Sequence, residues 1–147
     1  MINLDNPKWE YIGQGSYGEV YRLAGTNLAL KLILDGHEKA MQELFQGLAV
    51  RKSKYAPRFY GIINARWSTG HKPAILMEYV GTKTMALKYS RFKRMLSKAN
   101  DSFNKYGYEI FDPNIANFRV IRNKKGGIKK FWYVDMGGIR KHEQQRS

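Results

Sequence analysis

A chain of 147 residues has room for one domain, or for two small lobes sharing a core, and buries about two-thirds of its unfolded surface without covalent staples. It has no cysteine, which excludes disulfides and thiolate metal sites and fits a reducing cytoplasm or a redox-indifferent protein; with no basic leader ahead of an apolar run, and nothing near the roughly 20 apolar residues of a membrane span, it reads as soluble and uncleaved. The net charge of +14 is lopsided, since residues 1–80 carry 10 basic and 7 acidic side chains whereas residues 81–147 carry 16 and 5.

Trp9 to Tyr21 and Asn27 to Leu34 are rich in β-branched, aromatic and leucine residues and read as two strands around short glycine-bearing turns. From Gly36 to Ser53 the spacing becomes helical, with Met41, Leu44, Phe45 and Leu48 as one apolar stripe. The runs RFYGIIN and KPAILMEYV give two further strands before Gly81 breaks the pattern. Beyond it Met85, Tyr89, Phe92, Leu96, Ala99, Phe103 and Tyr106 recur at steps of four and three, which predicts one amphipathic helix with a basic outer face. A coiled coil is the competing reading, but aromatic residues fill its seam poorly. NFRVI, the turn RNKKGGIKK and FWYVDMGG then read as a β-hairpin.

Several pieces carry chemistry. Gly13, Gly15 and Gly18 fit GxGxxG, with Val20 two residues on. Backbone without Cβ atoms closes over phosphates and offers them N–H groups, although such glycines also simply join strands. In a dinucleotide fold the third glycine opens a helix, whereas here EVYRL continues as strand and NLALKLI returns with Lys31 inside it. A lysine among apolar neighbours either faces phosphates or sits on an edge strand and snorkels to water. A desolvated ammonium needs a carboxylate; Glu43 stands in the central turn of the predicted helix, with Glu38 as its rival.

Asp112 and Asn117 in FDPNIANF are five apart, a spacing that lets one loop aim a carboxylate at a hydroxyl and an amide oxygen at magnesium. Asp-Pro-Asn is also an ordinary turn starter. Asp135 in WYVDMGG stands at the end of an apolar strand before glycines, where a carboxylate is either an oxygen ligand for magnesium or the close of a strand-ending turn.

Taken in order over Trp9 to Gly138, these pieces resemble the protein-kinase-like superfamily. The resemblance implies an α+β, protein-kinase-like fold: an antiparallel-sheet N-lobe with one main helix over residues 1–80, and a reduced basic C-lobe of a long helix and a β-hairpin over residues 81–147. It implies ATP and Mg2+ as cofactors. Nucleotide contacts would come from the glycine loop (Gly13, Gln14, Gly15, Ser16, Gly18), from Val20 and Ala29, and from Met77, Glu78 and Val80, with Met77 as gatekeeper, the Glu78 carbonyl and the Val80 N–H meeting the adenine edge. Lys31, fixed by Glu43, would hold the α- and β-phosphates; Asn117 and Asp135 would bind the metal; Asp112 would orient or deprotonate the acceptor hydroxyl.

The activity so implied is ATP- and Mg2+-dependent transfer of a phosphate to a hydroxyl, with a protein Ser/Thr acceptor favoured. The alternatives are a nucleotide-binding pseudokinase acting through its basic face and a small-molecule kinase of the same fold; polycationic acceptors conflict with the positive second half. That field draws acidic or otherwise anionic protein partners unless it is only a solvated surface. A nucleic-acid partner is the weaker option, because the aromatics among the Lys and Arg residues of Lys83 to Tyr108 and Arg119 to Tyr133 follow core periodicity.

The chain departs from the family where Ile110 and Phe111 replace the His and Arg of HRD, where Asn114 stands in place of a lysine, and where Met136 replaces the Phe of DFG. Without that arginine a phosphorylated activation loop has no partner. Twelve residues follow Asp135, so no activation segment is expected, and the acceptor would be held by the basic helix and hairpin or by a second chain. The layout is similar to small kinase-like proteins of bacteria, their phages and secreted effectors, which implies the cytoplasm of the cell or of a host.

Overall fold

The computed structural model describes residues 2–15, 18–67, 70–84 and 86–142. Ser16 and Met85 therefore lie outside the described residues. The chain is α+β, with an antiparallel-rich sheet and two α-helices among the described residues, and it divides into two compact units: Met1–Leu48 with Arg58–Tyr79, and Ala49–Pro57 with Val80–Ser147.

The first unit is built on strands β1 (Ile2–Asn3), β2 (Trp9–Gly15), β3 (Gly18–Leu23) and β4 (Leu28–Ile33), helix α1 (His37–Ala49), and strands β5 (Phe59–Trp67) and β6 (Gly70–Glu78). The sheet order is β1-β5-β6-β4-β3-β2; every pairing is antiparallel except β1 with β5. The run from Trp9 to Tyr21 is thus two strands, because Gly15 and Gly18 pair across residues 16 and 17. Alternation along β4 divides the core between the two sheet faces. Leu30 and Leu32 join Leu4, Ala65 and Ala74 on one; Ala29 and Ile33 join Ala40 of α1, Ile75 and Met77 on the other.

Helix α1 buries Ala40, Glu43, Leu44 and Gly47, a narrower stripe than the one expected, and Phe45 is 59% exposed. Size explains the difference. A Cβ at position 47 would stand 2.5 Å from the Phe59 ring, so the contact face is chosen for close backbone approach, and the bulky Phe45 is turned outward.

The second unit holds β7 (Thr82–Lys83), α2 (Tyr89–Asn104), β8 (Tyr108–Ile110), β9 (Phe118–Arg122), β10 (Ile128–Tyr133) and β11 (Ile139–Lys141). β10, β9 and β7 form one sheet and β11 with β8 another. The expected hairpin is β9 and β10; Asn123 closes it by accepting the N–H groups of Lys125 and Gly127 on its side-chain oxygen, while Gly126 takes φ +82°. Helix α2 covers the centre of the predicted stripe, burying Met95, Ala99 and Phe103. Tyr89 at its start is 71% exposed, and Tyr106 falls past its end. Phe103, Phe118 and Tyr133 are fully buried and meet edge to face at 5.3–6.1 Å between centroids, a geometry that suits ring quadrupoles.

Segment 49–57 belongs with this unit, whereas the sequence division put all of residues 1–80 together. Its partners are specific: the Tyr55 carbonyl accepts the Tyr133 N–H at 2.8 Å, the hydroxyls of Ser53 and Ser102 are 2.7 Å apart, and Tyr55 stacks on Phe131 at 4.7 Å. Gly81 enters β7 with φ +53°, and a Cβ there would lie 2.9 Å from the Val120 carbonyl, so both conformation and space require glycine. Among the described residues no helix is long and apolar enough to cross a membrane.

Candidate functional site

In the first unit Lys31 sits on β4, paired with Val20 of β3 on one side and Ile75 of β6 on the other. That is an interior strand, so an edge lysine snorkelling to water is not the explanation. Its Nζ lies 3.0 Å from Glu43 Oε2, and the two side chains are only 12% and 2% exposed. The pairing follows from local folding, because the chain leaves β4, turns at Gly36 and lays α1 back over the same sheet face. The middle turn of α1 then reaches Lys31. Glu38 is exposed in the first turn of α1, which decides between the two glutamates.

Val20, Ala29 and Met77 pack in one apolar cluster on this same face, with Ala29 in register with Met77. Gly13 pairs with Val20 after a bulge at Tyr11, and Gln14 pairs with Glu19; Gly15 and Gly18 close the pairing, and Ser16 lies outside the described residues. Glu78 ends β6. Its N–H donates to the Arg58 carbonyl at 2.8 Å and its carboxylate accepts the Arg58 N–H at 3.2 Å. Val80 is the first residue of the second unit on that stretch. The Tyr21 hydroxyl donates to Glu19 at 2.9 Å; burial, then that carboxylate, pushes the phenol up to about 12.

The second unit brings Asp112 and Asn117 to Tyr133. The Tyr133 hydroxyl donates to the Asp112 carbonyl at 2.8 Å, and Asn117 Nδ2 donates to the Asp112 carbonyl, its carboxylate Oδ2 and the Tyr133 hydroxyl at 3.2–3.4 Å. The N–H groups of Phe111 and Asp112 both donate to the Gly138 carbonyl. Asn114 accepts the Ala116 N–H at 2.9 Å and so caps the short 3-10 turn Ile115–Asn117. Asp135, 7% exposed, caps a second 3-10 turn, Met136–Gly138, through Gly137 N–H at 3.1 Å. Val134 N–H donates to the Asn117 carbonyl at 2.9 Å, which makes the residue before Asp135 a direct neighbour of the Asn117 backbone.

Tyr133 and Gly138 are the members that sequence reasoning missed. The available signal was a tyrosine two residues before the aspartate in an apolar strand, since a buried hydroxyl requires a partner. A Cβ on Gly138 would overlap the Tyr133 hydroxyl and lie 3.3 Å from Asp112 Cβ. Gly138→Ala is therefore expected to destabilise the protein by ~1–3 kcal/mol, the usual cost of overpacking. Adding Tyr133→Phe removes the obstructing oxygen and should recover part of that loss; urea unfolding of both variants checks this, and a Gly138→Ala protein as stable as the wild type contradicts it.

Asn117 directs its Nδ2 at Asp112 and Tyr133, and Asp135 is a buried carboxylate whose Oδ1 accepts the Gly137 N–H. Amide and carboxylate oxygens are the ligand types that Mg2+ takes. Among the described residues no group of three or more His, Cys, Asp or Glu is placed to hold a metal ion. No protein-family model matches the chain, and a search of curated proteins finds no match.

Proposed function

We propose that this chain is an ATP- and Mg2+-dependent phosphotransferase of the protein-kinase-like fold, with a protein Ser/Thr hydroxyl as acceptor. The observation that carries the reading is the buried Lys31–Glu43 pair, set on an interior strand beside the apolar cluster of Val20, Ala29 and Met77. A buried ion pair contributes little to stability, so its presence on a central strand is better explained by use than by folding.

In this reading Glu43 holds the Lys31 ammonium in place to engage the α- and β-phosphate oxygens. Val20, Ala29 and Met77 offer apolar surface to the base; the Glu78 carbonyl and Val80 N–H meet its edge; the backbone N–H groups of Gly13, Gly15 and Gly18 face the phosphates. Asn117 and Asp135 hold the metal, which when bound neutralises charge developing on the phosphoryl oxygens. Asp112, fixed through its backbone by Tyr133, orients the acceptor hydroxyl. As the hydroxyl oxygen bonds to the γ-phosphorus and the bond to ADP breaks, the proton passes to the Asp112 carboxylate.

The test is incubation of the purified chain with γ-labelled ATP, Mg2+ and a mixed protein acceptor. Label is expected on Ser or Thr of the acceptor or of the chain itself, and removal of the metal with EDTA should abolish it. Nucleotide binding without transfer would support the pseudokinase instead, and neither binding nor transfer would overturn the nucleotide reading altogether.

A further inference from the structure

Apart from the proposed transfer residues, the second unit carries a groove of about 360 Å³ walled by six cations: Lys54, Arg91, Arg94, Lys98, Lys129 and Lys130. We propose that this groove docks an acidic peptide segment of the acceptor protein. The identification of the peptide as acceptor rests on the phosphotransferase reading; the binding itself does not.

The cations come from three separate elements, and the Lys130 Nζ stands 4.7 Å from the Trp132 ring centroid. Arg91, Arg94 and Lys98 follow one another at steps of three and four along α2 and share one helix face. Lys129 and Lys130 come from β10, and Lys54 from the segment 49–57. All six are exposed, and no acidic side chain lines the groove among the described residues. Elsewhere in the same unit an exposed cation does have a carboxylate partner, as Arg140 has Glu109 at 3.1 Å. Like charges gathered around one concave surface repel one another and raise its potential, which an incoming anionic chain relieves.

The floor decides which polyanion fits. It is formed by Tyr55, Met95, Ile128 and Phe131. Tyr55 and Phe131 stack on each other at 4.7 Å with an interplanar angle of 21°, Phe131 tilts against the buried Phe118, and Lys54 Nζ stands 5.2 Å from the Tyr55 ring centroid. Ring faces used in this way give nucleobases no open stacking platform, which sequence-tolerant binding of single strands relies on. An apolar floor under a cationic rim instead suits a peptide that carries Glu or Asp around an apolar side chain.

The experiment is fluorescence anisotropy of a short labelled peptide rich in Glu and Asp with a central Phe, measured without nucleotide against a single-stranded oligonucleotide of equal charge. The peptide should bind more tightly than the oligonucleotide. Arg91→Glu, Arg94→Glu and Lys98→Glu together should weaken it about tenfold or more, since each exposed ion pair is worth a factor of about two to five. The Gln versions of the same three positions, which keep helix propensity, should weaken it in the same direction, whereas Lys124→Glu with Lys125→Glu, in the hairpin turn outside the groove, should leave it nearly unchanged. Oligonucleotide binding as tight as peptide binding, equal weakening by the hairpin variant, or no peptide binding at low salt would each overturn the proposal. Because no ATP is present, these outcomes are independent of whether phosphate is transferred.

Discussion

Asp135→Asn is expected to lower phosphate transfer by about a hundred- to a thousandfold, the usual loss when one charged contact to a transferring group is removed, while folding stability stays close to that of the wild type. The separation sets the turn that this side chain caps against the charge it would give the proposed metal. Oδ1 of Asp135 accepts the Gly137 N–H and so closes the Met136–Gly138 turn, a task that an amide oxygen performs as well as a carboxylate oxygen. The negative charge, which the proposed metal requires, is lost. Asp135→Ala removes both and should cost ~1 kcal/mol of stability besides, as loss of a cap does. Transfer rates and urea midpoints of the two variants make the comparison. Retention of full transfer by Asp135→Asn would remove this residue from the chemistry.

Lys31→Met carries the second large effect, and here the larger change is in folding. Glu43 would keep its charge in a site where its side chain is 2% exposed, and removing one partner of a buried pair costs ~3–5 kcal/mol. Changing Glu43→Leu in the same chain removes that buried carboxylate, and the double variant should recover part of the loss, because hydrophobic replacement of a whole buried pair is commonly neutral or better. Nucleotide binding should be weakened about tenfold or more in both variants. Recovery of stability without recovery of binding separates a pair kept for function from one kept for folding. A double variant that regains transfer would mean that the ammonium has no role in it.

Much of this architecture was legible where a period or a spacing is long enough to read. The strand-rich composition of Asn27 to Leu34, the apolar repeat inside α2 and the glycine turn of the β9–β10 hairpin are local patterns, and each matches an element. Four strands had no such signal: β1 and β7 have two residues each, β8 and β11 three, too short for alternation, and only tertiary pairing such as Ile139 with Ile110 defines them. Hydrophobicity alone puts Phe45 inside, whereas the face that meets the sheet is built on the small residues Ala40 and Gly47. The Lys31–Glu43 contact was readable from spacing, since a helix returning over its preceding strand sets its central turn above that strand. Tyr133 was not, because its importance lies in a hydroxyl that reaches a carbonyl 21 residues away.

Titration of a non-hydrolysable ATP analogue into the wild type, Asp135→Asn and the Lys31→Met/Glu43→Leu chain, with and without Mg2+, bears most directly on whether these residues act on a single nucleotide. One analogue should bind per chain, more tightly with the metal, and each variant should weaken it about tenfold or more, the worth of a lost hydrogen bond to a charged group. An analogue that does not bind, or one that binds with an affinity indifferent to the metal and to both variants, would contradict the assignment.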